Sequence, residues 1–234
     1  MTLATHGRFS GGFAWIAHPD EFAERSSVAF VHRERIWLID PVRAAGLEAE
    51  LSALGSVAGV ILTLDRHDRD AAWFAHLYGV PVYRPRNLVP VRLDAPVVDV
   101  EGQIPDSPFQ LLTTNGRGLL SWWRECGIWW PEERTLAIGD TLGTASYFIR
   151  PGERLAVHPL RRLSPPTELL TLRPERVYGG HGVSLTTDAS AAVEHAIRTA
   201  RTELGPAWGH SLRVAWRRLR RSRYPPTPIL PLSP

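Results

Sequence analysis

The sequence predicts an α/β protein built as a layered sandwich of helices and sheets. Helix-like and strand-like segments alternate through the first half of the chain, and several short apolar strands follow one another in the second half before a last helix. No glycine-rich phosphate loop stands between a strand and a helix. The order of segments therefore favours packed layers over a doubly wound sheet.

The first predicted elements are a hairpin and a helix. Residues 28–41 alternate apolar and polar side chains on either side of a polar turn at 32–35, which is typical of two antiparallel strands. Residues 42–55 then predict a helix. We expect Gly55 to end this helix, because glycine adopts the left-handed conformation at a helix C-terminus without a steric penalty.

A strand, a helix and a second strand follow. Residues 57–63 form a short apolar run that is typical of a buried strand, and residues 80–83 form another. Between them the sequence predicts a helix over residues 71–78, with Asp70 as its N-cap and Gly79 at its end.

The middle of the chain is strand-like and rich in tryptophan. Four runs predict strands, at residues 109–114, 119–123, 127–130 and 134–140. We expect the tryptophan pairs at 122–123 and 129–130 to pack against each other across neighbouring strands.

A last helix is predicted from about residue 188 to residue 204, where apolar side chains recur at helical spacing. Its apolar stripe consists of Ala192, Val193, Ala196, Ile197, Ala200 and Leu204.

The composition predicts a cytoplasmic protein with one large domain, with or without a tail. The 234 residues are 44% hydrophobic, which is enough for a core. No run approaches the roughly 20 apolar residues of a membrane span, and the N-terminus lacks the features of an export signal. Cys126 is the only cysteine, so an internal disulfide and a cysteine-based zinc site are excluded.

Charge divides the chain into a domain, residues 1–210, and a tail, residues 211–234. All 27 basic residues are arginine, and six of them lie in the tail, which has no acidic residue. Subtracting those six from 27 leaves the domain 21 basic against 24 acidic residues. Residues 211–221 place apolar side chains on one helical face and arginines on the rest. We expect this segment either to dock on the body or in a homodimer, or to bind nucleic acid or an anionic membrane surface.

Four segments resemble, in order, the metallo-β-lactamase superfamily. They are IWLIDP (36–41), GVILTLDRHDRDAAWFAHLYGVPVY (59–83), RTLAIGDTL (134–142) and LRPERVYGGHGVS (172–184). The resemblance covers roughly residues 28–204. It implies a four-layer αββα sandwich, hydrolase-like chemistry and a site for two zinc ions at one edge of the two sheets.

The metal-binding pattern of that superfamily, Thr-His-x-His-x-Asp-His, is mostly lost. The resemblance aligns its three histidines with Leu64, Arg66 and Arg69, and its aspartate with Asp68. The run RHDRD is closer to divergent branches of the superfamily that have an Arg-His-x-Arg pattern here.

The other ligands implied by the resemblance are partly kept. Asp140 matches the bridging aspartate and His181 the final histidine between glycines. A further ligand histidine has no counterpart, because no histidine lies between residues 76 and 158. Arg117 is the natural occupant of its place, with Ser121 as the alternative.

These replacements leave few metal ligands. One zinc would be left with leucine and arginine, neither of which has a lone pair to donate. The other metal, if any binds, would keep Asp68, Asp140 and His181. Our hypothesis is that no metal binds, and that the three arginines at 66, 69 and 117 supply the positive charge instead, because guanidinium groups pair with carboxylates and bind anions.

Several of these residues also have simpler interpretations. Asp68 and Asp70 would cap the helix that follows them, and Asp140 would form an Asx-turn. His181 lies in a run, GGHG, that suits a tight turn with a directed side chain. The candidate catalytic residues are His67 and Asp68, and we expect His67 either to face solvent or to act as a general base.

Three functions follow from these observations. The first is a member of the fold that lacks an intact dinuclear zinc site, inactive as a hydrolase or binding an anionic small molecule. The second is a single-metal hydrolase of an ester, lactone or phosphoester, with zinc or another divalent ion as cofactor. The third is binding of nucleic acid or a membrane surface through the basic tail.

Overall fold

The computed structural model of the chain describes residues 3–221. Within this range the fold is made of β-strands in two main sheets and one small one, together with α-helices. The strands are β1 (Thr5–Phe9), β2 (Gly12–Ile16), β3 (Ser26–His32), β4 (Arg35–Ile39), β5 (Ser56–Ile61), β6 (Val82–Pro85), β7 (Val97–Val100), β8 (Gln110–Thr113), β9 (Cys126–Trp130), β10 (Thr135–Ile138), β11 (Leu142–Gly143), β12 (Ala156–Val157) and β13 (Arg176–Gly179). The helices are α1 (Leu47–Ser52), α2 (Ala71–Tyr78), α3 (Ala189–Thr199) and α4 (Leu204–Arg221).

The two main sheets differ in the direction of their strands. The first holds β1 to β7 in sequence order and is antiparallel as far as β4, then parallel from β4 to β7. The second has the order β13-β10-β9-β8, with a parallel β10–β13 pair. Strands β11 and β12 form a separate small hairpin. Each main sheet therefore contains parallel strands, and the carboxyl ends of those strands lie at the same edge of the sheet.

Three apolar layers hold the sandwich together. Side chains such as Phe30, Trp37 and Ile128 fill the space between the two sheets. The helices α1 and α2 pack on the outer face of the first sheet, and α3 packs on the outer face of the second. The four-layer αββα arrangement implied by the sequence is confirmed.

The predicted hairpin and the helix α2 are present, but two predicted caps are not. Gly79 ends α2 with a φ of 62°, in the left-handed region as expected. Asp70 makes no side-chain hydrogen bond to the helix; its carboxylate accepts the backbone N–H of Arg43 at 2.7 Å instead. The first helix is shorter than predicted, because α1 ends at Ser52; Gly55 lies beyond it with a positive φ of 144°, a conformation that favours glycine, packed against the backbone of Glu34.

The tryptophan-rich segment departs most from the prediction. Residues 119–123 do not form a strand; Gly118–Leu120 is a 3₁₀ turn that starts from a left-handed Gly118. Trp122 is exposed while Trp123 is buried. Strand β9 pairs with β10, and its Trp129 lies opposite Leu136. The predicted pairing of the two tryptophan pairs across strands is therefore wrong.

The last two helices frame the end of the described chain. Helix α3 buries Val193, Ala196 and Ile197 against the second sheet, as the predicted apolar stripe requires, but it ends at Thr199, so Leu204 belongs to the next helix. Helix α4 begins at Leu204 and passes through the predicted boundary between residues 210 and 211. Residues 222–234 of the predicted tail lie outside the described residues. Across residues 3–221, no helix combines the length and apolarity that crossing a bilayer requires.

Candidate functional site

The candidate site lies where four strands, two from each sheet, end at a common edge. Asp40 follows β4, His67 lies in the loop after β5, Asp140 follows β10 and His181 follows β13. The carboxyl ends of parallel strands meet at one edge of a sheet, which is where polar loops can converge. The fold thus brings together residues separated by more than a hundred positions in sequence.

His67, Asp140 and His181 form a buried cluster. The Nε2 atoms of both imidazoles lie against the same oxygen, Oδ1 of Asp140, at 2.9 Å from His67 and 2.8 Å from His181. Their ligand-type atoms all lie within 4.8 Å of one another. This is the one group of three or more potential metal ligands found among the described residues.

Glycines make room for this approach. A Cβ on Gly180 would lie 2.8 Å from the carbonyl oxygen of Gly139 and 3.0 Å from the His67 ring. Gly182 has a φ of 83°, and a side chain there would meet the backbone of Ala145. The run GGHG is a bend rather than a tight turn, because the N–H groups of Gly180 and Gly182 donate to the carbonyls of Gly139 and Glu24, and the His181 imidazole lies in the cluster.

The outer nitrogen of each imidazole is fixed by a hydrogen bond. His181 Nδ1 lies 2.6 Å from the carbonyl oxygen of Ala23, and His67 Nδ1 lies 2.8 Å from Oδ2 of Asp40. A carbonyl or carboxylate oxygen only accepts hydrogen bonds, so each Nδ1 carries a proton. Histidines held in this way direct Nε2 inward, as metal-binding histidines do.

This orientation places a condition on the centre of the cluster. A neutral ring with a proton on Nδ1 has a lone pair on Nε2, and here it would face a lone pair of the Asp140 carboxylate. The contact is favourable only if a cation sits between them. Protons on both rings satisfy the condition, and so does one metal ion bound by the three residues.

The electrostatics of the cluster favour charged forms. Burial and the Arg69 charge lower the pKa of His67, but the carboxylates of Asp140 and Asp40 outweigh them, so the pKa is raised overall. Burial alone would raise the pKa of Asp140, yet its contacts with His67 and His181 hold the pKa well below its ordinary value. Both shifts describe opposite charges in contact away from water.

Arg66 occupies the other side of the Asp140 carboxylate. Its Nε and Nη2 both donate to Oδ2, at 3.0 Å and 2.8 Å. The guanidinium carbon stands 4.2 Å from the centre of the Trp123 ring, a cation–π contact, and Nη1 lies 3.5 Å from Asp65. The side chain keeps 37% of its surface exposed. Arg66 therefore links the buried carboxylate to the solvent.

Arg69 has a different role in the structure. Its guanidinium donates to three backbone carbonyls, those of Ser26 at 2.6 Å, Asp40 at 2.9 Å and Gly180 at 3.0 Å. These carbonyls belong to both sheets, so one side chain joins the two layers beside the site. Burial lowers the pKa of Arg69, against the raising effect of Asp40 and Asp140.

The remaining predicted site residues lie outside the cluster. Asp68 is exposed and accepts the backbone N–H of Arg69 at 2.9 Å. Arg117 is 79% exposed and lies 4.0 Å from Glu168. His67, which we expected either to face solvent or to act as a general base, is buried, so the first alternative is wrong. It takes the place beside Asp140 and His181 that the sequence assigned to Asp68.

Two groups around the cluster were not assigned a role from the sequence. Asp40 holds His67 and also accepts the backbone N–H and the hydroxyl of Thr63. Glu125 is fully buried and accepts hydrogen bonds from the Trp123 indole and from Thr141, next to Asp140. The sequence signals for Asp40 are its position directly after an apolar strand, as for Asp140, and its place in the segment IWLIDP, one of the four that carry the resemblance.

Comparison with known proteins identifies the fold. No protein-family model matches the chain, and no curated protein matches it. Among solved structures it is similar to the metallo-β-lactamase DIM-1 exposed to ceftazidime, at 15% identity and a TM-score of 0.62, over 86% of this chain and 98% of that one. It is also similar to the metallo-β-lactamase FIM-1 from Pseudomonas aeruginosa in the mono-zinc form, at 11% identity and a TM-score of 0.56, over 87% of this chain and 97% of that one.

A third similar structure is TTHA1623 in a di-iron-bound form, at 22% identity and a TM-score of 0.52, over 73% of this chain and 93% of that one. Identities this low establish the architecture alone. The chain therefore has the metallo-β-lactamase fold.

The geometry around Arg69 makes a prediction about stability. Arg69→Lys cannot reach three carbonyl oxygens with one ammonium group, so buried acceptors would lose their partners. We expect a loss of about 3 kcal/mol in the free energy of unfolding, measured by urea denaturation.

Arg117→Lys is the matched control, because its side chain is exposed, and we expect a change within about 0.5 kcal/mol. Equal effects of the two substitutions would show that Arg69 does not join the sheets.

Proposed function

We propose that the chain is a divergent member of the metallo-β-lactamase superfamily without a dinuclear zinc centre, inactive as a hydrolase, that binds an anionic small molecule through Arg66. The contacts of Asp140 carry the proposal. Its Oδ2 accepts two N–H groups of Arg66, and its Oδ1 faces two imidazoles. A carboxylate that bridges two metals must offer a lone pair to each, and here one side is already taken by a guanidinium.

The donor atoms around the site do not fit two zinc ions. Leu64, aligned with the first histidine of the zinc pattern, is a fully buried hydrocarbon side chain. Arg66 and Arg69 stand in place of two further histidines, and a guanidinium has no lone pair for a metal. The activated bridging water of a dinuclear centre therefore has nothing here to hold it.

The binding of an anion is favoured by the state of Arg66. Its guanidinium is oriented by Asp140 on one side and by the face of Trp123 on the other, while part of it remains exposed. An oriented guanidinium binds carboxylate or phosphate oxygens through two N–H groups at little further entropic cost.

Metal content tests the first part of the proposal. Protein purified without chelator or added metal should contain no stoichiometric zinc, iron or manganese by elemental analysis. EDTA should leave its melting temperature unchanged, because no bound ion contributes to stability. Two equivalents of a metal that EDTA removes would overturn the proposal, and one equivalent would favour the single-metal function described below.

Anion binding tests the second part. Inorganic phosphate should raise the melting temperature of the wild-type protein in a concentration-dependent way, since a ligand that binds the folded state stabilises it by mass action. Arg66→Gln should remove most of this shift. Arg117→Gln, which changes an exposed arginine elsewhere, should keep it. If phosphate still raises the melting temperature of Arg66→Gln, the anion binds at another positively charged residue.

A second function, a single-metal hydrolase, is favoured by the two imidazoles. Because both Nδ1 atoms donate outward, both Nε2 lone pairs are free to hold one metal together with Asp140. Ligands about 2.05 Å from a tetrahedral metal are about 3.3 Å apart, and the ligand-type atoms of these three residues lie within 4.8 Å of one another. A bound metal would supply an activated water and polarise the carbonyl or phosphoryl oxygen of an ester, lactone or phosphoester.

The second function is testable because it makes His67, and not Asp68, a metal-binding residue. If it is correct, Zn²⁺ should bind with a stoichiometry of one by isothermal titration calorimetry, and His67→Gln should weaken binding by roughly 100-fold or more. Asp68→Asn should bind as the wild type does, because Asp68 is exposed outside the cluster. Loss of binding in Asp68→Asn alone would restore the ligand set expected from the sequence, and no binding by any variant would exclude the function.

A further inference from the structure

Two neighbouring arginines, Arg161 and Arg162, are buried, with 0% and 1% of their surface exposed. Both belong to a 3₁₀ turn, Arg161–Leu163, that follows strand β12. The Arg162 guanidinium donates to the Val157 carbonyl at 3.2 Å and forms an ion pair with Glu153 at 3.3 Å. Arginine keeps its charge and only donates hydrogen bonds, so a buried guanidinium requires partners of this kind.

Arg161 lacks most of those partners. Its Nη2 donates to the carbonyl oxygen of Thr114 at 3.0 Å. No atom of residues 3–221 accepts a hydrogen bond from its Nε or its Nη1, although both are buried. The guanidinium carbon stands 5.8 Å from the centre of the Trp123 ring, at the limit of a cation–π contact. Two buried donor atoms of a charged group are therefore without an acceptor.

The charge of Arg161 is not paired either. Across the described range 3–221, no carboxylate accepts a hydrogen bond from it. Glu125 is also buried, but its two oxygens accept hydrogen bonds from Trp123 and Thr141. Burial lowers the pKa of Arg161 and outweighs the raising effect of Glu125 and Glu168. The protein thus supplies too little negative charge for this guanidinium.

The hydroxyl of Thr114 is a third unpaired group. Thr114 is fully buried; its backbone N–H donates to the Glu125 carbonyl at 3.0 Å, and its own carbonyl accepts Arg161. Its Oγ1, however, has no partner among residues 3–221. A hydroxyl can donate as well as accept, whereas guanidinium nitrogens only donate. The common partner of these groups is an acceptor, and the unpaired charge favours a negative one.

We propose that Arg161 and the Thr114 hydroxyl bind a small monovalent anion of the size of chloride. Both side chains are packed without exposed surface, which favours a monatomic ion over a phosphate or carboxylate that would carry further atoms into the core. A water molecule would accept the same N–H groups but would leave the guanidinium charge unpaired. An anion satisfies the hydrogen bonds and the charge together.

This site is distinct from the anion site proposed at Arg66. The guanidinium carbons of Arg66 and Arg161 lie 4.2 Å and 5.8 Å from the centre of the same ring, that of Trp123. Arg66 is 37% exposed and already paired with Asp140, so it can meet a larger ligand from the solvent. Arg161 is closed to such a ligand by its burial. Either site can exist without the other.

The test compares the melting temperature of the full-length protein in sodium chloride and in sodium gluconate, at equal ionic strength and without phosphate. We expect chloride and bromide to raise it in a concentration-dependent way, because an ion that binds the folded state stabilises it by mass action. Gluconate is too large for the site and should not. Arg161→Gln should abolish the difference between the two salts. Arg66→Gln, which removes the other guanidinium beside Trp123, is the matched control and should keep it.

Two further measurements decide the question if Arg161→Gln does not fold. Thr114→Val keeps the shape of the side chain and removes one hydrogen bond, so it should raise the chloride concentration needed for half of the shift by roughly tenfold. Crystals of the wild-type protein soaked in bromide should show an anomalous scattering peak within hydrogen-bond distance of Nε or Nη1 of Arg161.

Three results would overturn the proposal. Equal melting temperatures in chloride and gluconate would exclude an ion-specific site. A chloride effect that is lost in Arg66→Gln and kept in Arg161→Gln would assign the ion to Arg66. Crystals that bind bromide elsewhere and none at Arg161 would show that its N–H groups are hydrated instead.

Discussion

The candidate site is organised around one carboxylate oxygen, Oδ1 of Asp140. Two imidazole nitrogens converge on it, and the outer nitrogen of each ring is already committed, to Ala23 on one side and to Asp40 on the other. Three atoms with lone pairs cannot approach within about 3 Å without a cation among them. Every other polar contact at this edge of the sandwich either supports this arrangement or neutralises its charge.

The two arginines of the loop after β5, Arg66 and Arg69, pair with different kinds of acceptor. Arg66 forms an ion pair with Asp140 and remains partly exposed to solvent. Arg69 instead satisfies backbone carbonyls of both sheets, where the loops of the site would otherwise leave buried acceptors without partners. The two arginines therefore differ in role: Arg66 contacts the carboxylate of the cluster, whereas Arg69 holds together the backbone around it.

Much of the fold could be predicted from the sequence because local patterns and the resemblance agreed. The 71–78 helix, the 28–41 hairpin and the stripe of α3 were predicted from periodicity and from glycine at a helix end. Residues 119–123 were misassigned because an apolar run predicts a strand, whereas Gly118 in the left-handed region turns the chain out of the sheet. A hydrophobicity pattern does not report that backbone turn.

The site was predicted less completely, for a geometric reason. Asp140 and His181 were identified because both follow strands at the edge implied by the resemblance. Between His67 and Asp68, one step along a loop decides which side chain points inward, and neither residue type indicates the direction. The loop makes two successive turns, closed by the N–H of His67 on the Leu64 carbonyl and by the N–H of Ala71 on the Asp68 carbonyl, and at their junction His67 is buried while Asp68 is exposed. Asp40 was missed as a partner because its hydrogen bonds to His67 and Thr63 join residues more than 20 positions apart, which the sequence alone does not bring together.

Whichever cation occupies the centre of the cluster, the charge balance of the site is similar. Two protons and one divalent ion each add two positive charges to those of Arg66 and Arg69. The carboxylates in contact with this group are Asp40, Asp65 and Asp140, and Glu125 is buried beside Asp140, so nearby carboxylates balance the positive groups in either case. Arg66 is the member of the group most open to solvent. The anion binding proposed for this site rests on that exposed guanidinium, whichever cation occupies the cluster.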